Sequence, residues 1–206
     1  MGIVIDHEAR KSEIIKKSIE LFAEEGYDGV TFQKIADGCG IARTTLYKYF
    51  RNKREIFNYA IWESSNILSK IYASILKYSQ PVDVRLKNIM DAVLNMLFDQ
   101  KIMLTVILDY VLMAQRSGHK LERNIESHTI ILRRIIQRLI IEGIRKGEFR
   151  KVSPKLATNL LYSMVETAVL RLTISRNADK AELYDMIHAT IDSFKINAYA
   201  DNPDHE

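Results

Sequence analysis

Between Thr31 and Glu55 the chain places six cations, Lys34, Arg43, Lys48, Arg51, Lys53 and Arg54, against two anions, Asp37 and Glu55. The surplus of +4 equals the formal charge of the whole 206-residue chain. The remainder therefore sums to zero, and the pI near 9.0 reflects a local patch. A compact basic patch is what neutralising phosphates requires, because each cation that meets a phosphate releases a condensed counterion. Tyrosine and threonine hydroxyls at Thr44, Thr45, Tyr47 and Tyr49 lie among these cations and add neutral hydrogen-bonding groups. The chemistry expected is contact with a polyanion rather than bond making.

Two short helices around a glycine turn must position these groups. Thr31 is placed to cap the first helix, with its hydroxyl accepting from a first-turn backbone N–H. Phe32, Ile35 and Ala36 then share an inward face at spacings of three and four. Gly38 and Gly40 bracket the turn, where positive φ carries no steric cost. Ile41 anchors the turn, and a second helix is expected from about Ala42 through Tyr49. Leu46 and Phe50 point inward on it, leaving Arg43, Thr44, Tyr47 and Lys48 outward. Helix, glycine turn and outward-polar helix is the arrangement that lays a second helix in the major groove of DNA. Asn52 with Glu55 forms a capping box for the next helix, and its free N–H groups beside Lys53 make an anion site.

The order of motifs runs Ile14-Ile15, Leu21-Phe22, Gly26-Tyr27, Thr31, Ile35-Ala36, Gly40-Ile41, Thr45-Leu46-Tyr47, Tyr49-Phe50 and Asn52-Lys53. Over about Ile14 to Phe57 this resembles the DNA-binding domain of TetR-family transcriptional regulators. The resemblance covers about the first quarter of the chain. It implies that Gln33, Arg43 and Thr44 approach base edges, as Arg can bond guanine O6/N7 and Gln adenine N6/N7 with two hydrogen bonds. Thr31, Tyr47, Tyr49 and Lys53 would hold phosphates, and Thr45 and Lys48 can serve either purpose. Ala42 departs from the family, where a Ser often caps the reading helix, so that cap is weaker by about 1 kcal/mol. Cys39 stands where Ala is common.

Glu8 to Glu25 reads as a supporting helix with Ile15, Ser18, Ile19 and Phe22 on one face, closed by Gly26. After the motif, helical patterns run from Lys53 to about Tyr78, Val82 to Asp99, Lys101 to Arg116 and Leu121 to Lys146. Ser153-Pro154 starts another, to about Arg176, and Asp179 with Glu182 caps a last one to Ala198. The expected fold is all-α with about nine helices: a three-helix DNA-binding domain over residues 1–52, then a helical effector-binding and dimerisation domain over 53–206.

Helices with such wide apolar faces must bury them against each other or a partner. The last two carry Leu156, Leu160, Leu161, Met164, Val165, Ala168 and Leu172, then Leu183, Met186, Ile187, Ile191 and Phe194. The resemblance implies a homodimer through about Pro154 to Ala198, although these residues would serve a monomeric core as well. A dimer presents two reading helices about 34–36 Å apart to a palindrome. The resemblance also implies a small molecule held in the body that lowers DNA affinity. Met90, Met96, Met103, Met113 and Met164 suit an adaptable apolar wall and equally an ordinary core. Asn95, Asp109, Tyr110, Tyr162 and Glu166 are polar groups in apolar surroundings and the candidates to orient an apolar or amphipathic effector.

No phosphate loop, nucleophile motif or paired-histidine spacing occurs, so neither an enzyme nor a cofactor is expected. His119 and His128 are nine apart and His188 stands alone, which leaves no metal site. A single cysteine, no secretion signal in Met1 to Ile5 and no apolar run near the roughly 18 residues of a membrane span point to a cytoplasmic protein. Two rival outputs share this fold: a DNA-bound, nucleoid-associated or partner-recruiting protein, and a transcriptional activator.

Overall fold

The computed structural model describes residues 7–75, 80–118, 123–175 and 178–196, with the side chains at 64–65, 67–69, 71–72, 74–75 and 123–129 left aside. Among the described residues there are nine helices and no strand: α1 (His7–Gly29), α2 (Phe32–Gly38), α3 (Arg43–Leu46), α4 (Lys53–Ile75), α5 (Val82–Asp99), α6 (Lys101–Arg116), α7 (Arg123–Lys146), α8 (Pro154–Ile174) and α9 (Lys180–Asp192). They group into two compact units. The first holds residues 1–66 and 100–126, the second 67–99 and 127–206. His119 lies outside the described residues, as does the His128 side chain.

In the first unit α1 packs along α6 and against α2, and α2 against α3. Gly26 breaks α1 with φ 75° and ψ 155°, a conformation open to glycine. That break lets Tyr27 turn inward, where it meets Phe57 at 5.2 Å and Tyr110 at 5.0 Å between ring centroids. Ile14, Phe22, Ile35, Leu46, Phe50, Ile56 and Phe57 complete a core that α6 closes with Val106 and Tyr110. Ser18 is fully buried and donates its hydroxyl to the Ile14 carbonyl, so a polar residue on the inward face leaves no unpaired donor.

In the second unit α5, α8 and α9 pack on one another. α7 joins through a partly buried pair, Arg85 to Glu142 at 2.5 Å, and through Arg133, which donates to Asn159 of α8 at 2.8 Å. Two helix ends differ from the sequence pattern. α9 stops at Asp192 because Phe194 turns back on the α7–α8 loop, accepting from Arg150 N–H at 2.8 Å and meeting the Phe149 ring at 6.2 Å. α8 stops at Ile174, two residues short of Arg176. Its start is as expected: Ser153 accepts from Leu156 N–H, with Pro154 at the first helical position. Asp179 caps α9 by accepting from Ala181 and Glu182 N–H, but Glu182 bonds Arg171 instead of reaching back to the cap.

Candidate nucleic-acid interface

Thr31 accepts from Lys34 N–H and opens α2. α2 ends through Cys39 and Gly40, the latter at φ 62°, and Ile41 N–H returns to the Ala36 carbonyl at 3.0 Å. α3 is shorter than its pattern. Only Arg43 to Leu46 are α-helical, and Lys48 and Tyr49 N–H bond to carbonyls three residues back. Ala42 offers no side-chain cap, and Thr44-Thr45 are β-branched, so nothing local favours extension. Leu46 and Phe50 are buried and pin this segment to the core. Arg43, Thr44, Tyr47 and Lys48 are exposed together on its outer side, with Thr45 half-buried.

Several of these side chains already have partners. Arg43 donates to the Tyr47 hydroxyl at 3.2 Å, and the Tyr47 ring packs on Phe32 at 4.9 Å. The tyrosine thus holds the guanidinium from the α2 side and restricts its rotamers before any ligand is met. Gln33 donates to Asp37 at 2.7 Å, one turn on along α2. Tyr49 stacks on His7 at 4.6 Å. Lys34 pairs with Glu25 and donates to the Gly29 carbonyl, so it contributes less free charge than the sequence count suggests.

Asn52 accepts from Glu55 N–H at 2.9 Å, and the Glu55 carboxylate reaches back to Arg51 N–H at 2.6 Å, one residue beyond the usual partner of a capping box. The expected phosphate contact from Lys53 meets an ammonium that is already engaged. Its Nζ donates to the carbonyls of Tyr27 (2.7 Å), Val30 (3.0 Å) and Asp28 (3.4 Å). It also lies 4.5 Å from the Tyr27 ring centroid. Burial pushes its pKa down, with Asp28 partly opposing. Burial pushes the Cys39 thiol up, the opposite of a reactive thiolate, which leaves turn packing as its role.

The five effector candidates are divided between the two units. Tyr110 is core of the first unit, and Asp109 is exposed beside Gly26 in a cavity of about 300 Å³ lined also by Glu25, Asp28 and Arg116. In the second unit Arg133 lies 4.0 Å from the Tyr162 ring and 3.9 Å from Glu166, which brings those two together. Asn95 is exposed and hydrogen-bonds Tyr184, whose pKa is raised by burial and by Asp91 and Asp99. A larger cavity of about 790 Å³ in the second unit is lined mostly by charged residues. Asp83, Arg85, Glu142, Lys146, Glu148 and Lys195 line it, residues whose sequence pattern gave no sign that they meet.

Residues 14–60 match the family of bacterial regulatory proteins described as the tetR family. The HTH-type transcriptional repressor DhaR of Mycobacterium sp. (strain GP1) is 25% identical over 177 residues, 84% of this chain and 87% of that protein. The biofilm operon icaADBC negative transcriptional regulator IcaR of Staphylococcus epidermidis is 39% identical over 51 residues, 25% of this chain and 28% of its own. The ketosteroid transcriptional regulator KstR2 of Mycobacterium tuberculosis shares the fold, with a TM-score of 0.72 at 20% identity over 91% of this chain and 96% of that one. With the outward-facing reading segment, these likenesses show a DNA-binding regulator rather than an enzyme: residues 14–60 carry the DNA-binding domain of the TetR family, and the rest of the chain resembles regulators of that family.

Proposed function

We propose that the protein is a homodimeric repressor that binds a palindromic operator and is released by an apolar or amphipathic small molecule. Residues 1–52 read DNA in this scheme, and residues 53–206 dimerise and hold the effector. The observation that carries the first half is the outward grouping of Arg43, Thr44 and Lys48 on a segment pinned by Leu46 and Phe50. Arg43, Thr44 and Gln33 read bases, with Thr45 and Lys48 in support. Thr31, Tyr47 and Tyr49 hold phosphates, and Lys53 acts by fixing the start of α4 to the end of α1.

Support for self-association comes from α8. Leu161, Val165, Ala168 and Leu172 are spent on the unit's own core, while Leu156, Leu160, Leu170 and Ile174 are exposed at 69%, 47%, 49% and 75%. These four fall on one face with Ser163 and Thr167 between them, an uncharged stripe about five turns long that a second copy can cover without desolvating charge. The effector rests on the likeness to a regulator described by its ketosteroid, and DhaR and IcaR, a repressor and a negative regulator by name, favour repression.

Selection of bound duplexes from a random pool tests the reading. An enriched palindrome is expected, and it supplies the probe for finding effectors by loss of binding. Salt-sensitive binding with no enriched sequence would replace this reading with an architectural one.

A further inference from the structure

The largest local charge surplus in the chain lies outside the reading domain. Residues 133–155 contain eight cations and two anions, a surplus of six in 23 residues. Both anions are spent internally. Glu142 bonds Arg85 and Lys146, and Glu148 accepts from Val82 N–H at the start of α5. Arg133 is likewise occupied by Asn159, Tyr162 and Glu166. Arg134, Arg138, Arg145, Arg150, Lys151 and Lys155 are exposed and form no ion pair among the described residues.

The geometry of α7 organises them. Leu132, Ile136, Leu139 and Ile140 are buried, so one face of the helix is core. On the opposite face Ile130, Arg134, Arg138, Ile141 and Arg145 recur at spacings of four, four, three and four, a continuous line down the helix. Ile130 is 47% exposed and Ile141 48% exposed. Solvent alone gives no reason for isoleucines set between unpaired arginines along one line. A second copy is a poor occupant, because two such faces would bring like charges together, whereas the neutral α8 stripe carries no such penalty. Duplex DNA meets the arginines but leaves the isoleucines against phosphates.

We propose that this face of α7 docks an acidic amphipathic helix of another protein, with Glu or Asp side chains meeting Arg134, Arg138 and Arg145 and apolar side chains covering Ile130 and Ile141. Arginine suits the task, since its fork binds carboxylate with two hydrogen bonds and its weakly hydrated plane is desolvated at less cost than an ammonium. The surface shares no residue with the DNA-reading set and stands whether or not the repressor reading holds.

The test uses the full-length protein and a labelled synthetic helix with Leu and Glu in a three-four repeat, read by fluorescence anisotropy. Polyglutamate, a random-sequence duplex and phosphatidylglycerol vesicles serve as competitors. Saturable binding is expected, weakened at least about tenfold by Arg134→Gln with Arg138→Gln. Ile141→Ser should weaken the helix about tenfold, or roughly 1.4 kcal/mol, and leave polyglutamate binding unchanged. All three positions are exposed, and an unaltered unfolding midpoint checks that the variants are intact. Equal loss of helix and polyglutamate in Ile141→Ser would reduce the face to a generic polyanion surface and overturn the proposal. Stronger capture by the duplex or the vesicles through the same arginines would overturn it in favour of nucleic acid or membrane.

Discussion

The Lys53 ammonium sits 2.7 Å from the carbonyl oxygen of Tyr27, joining the first turn of α4 to the broken end of α1. With Val30 and Asp28 also accepting, it satisfies carbonyls at and just beyond the end of α1 at Gly29, where no further helical turn supplies a donor. Lys53→Met should therefore lower stability by about 1–3 kcal/mol, the cost of hydrogen bonds to a charged donor. Urea unfolding followed by circular dichroism measures this. The salt dependence of DNA affinity should stay near the parent's in that variant, whereas Lys48→Ala should flatten the log-log slope by about one. A flattened slope for Lys53→Met with unchanged stability would restore the phosphate role to Lys53.

Arg43 and Tyr47 form a unit, so their variants should differ in kind. Arg43→Ala should relax preference at one base pair by roughly 1–3 kcal/mol and leave the other positions as they were. Tyr47→Phe keeps the ring on Phe32 but frees the guanidinium, and should relax the same position by less. Binding to a panel of single-base operator variants separates the two. Uniform loss across the panel in both variants would mean that neither reads a base.

Gly143 lies in α7 directly under the Phe149 ring, where a Cβ would fall inside the ring's van der Waals surface. An alanine ordinarily favours a helix over glycine by about 1 kcal/mol. Here overpacking should prevail, with Gly143→Ala destabilising by about 1–3 kcal/mol. Trimming the ring in the double variant with Phe149→Leu should recover part of the loss. Thermal unfolding decides, and a stabilised Gly143→Ala would mean that the ring moves aside freely.

The charged cleft of the second unit sets an acid limit. Glu142 titrates below its ordinary value of 4.5, chiefly through the Lys146 hydrogen bond, with burial opposing and Arg85 reinforcing. Asp83 also lies low. Burial acts upward on it, but the bond and charge of Lys195 outweigh that. A carboxyl held lower in the folded state binds fewer protons there. Its contribution is full above the unfolded value and is lost as pH falls through the folded one. Stability should therefore decline below about pH 4.5, and Glu142→Gln should flatten that decline while costing stability at neutral pH. Urea midpoints at several pH values give the answer, and an unaltered pH profile in Glu142→Gln would remove the cleft from the account.

Self-association should depend on the outer stripe of α8 and not on its inner one. Leu160→Glu with Leu170→Glu should give a folded monomer in sedimentation, with much weakened binding to a palindromic site. A dimer that survives both changes would place the interface elsewhere.

Local sequence alone fixed the helix caps at Thr31, Asn52, Ser153 and Asp179, the break at Gly26 and the inward pair Leu46 and Phe50. Each depends on groups within a few residues, and capping and helical periodicity are local properties. The family was legible for the same reason, since its motifs crowd into one short segment. Pairing across the chain was not legible. Nothing near Lys53 reveals that its charge is spent on carbonyls more than twenty residues away, nor does the run of leucines in α8 say which half faces outward. Charge summed over the whole chain likewise concealed the face of α7, because a local surplus of six is cancelled by acids elsewhere. Tertiary structure decided these points, because which donors, acids and apolar faces remain free is settled only once every other residue has taken its partner.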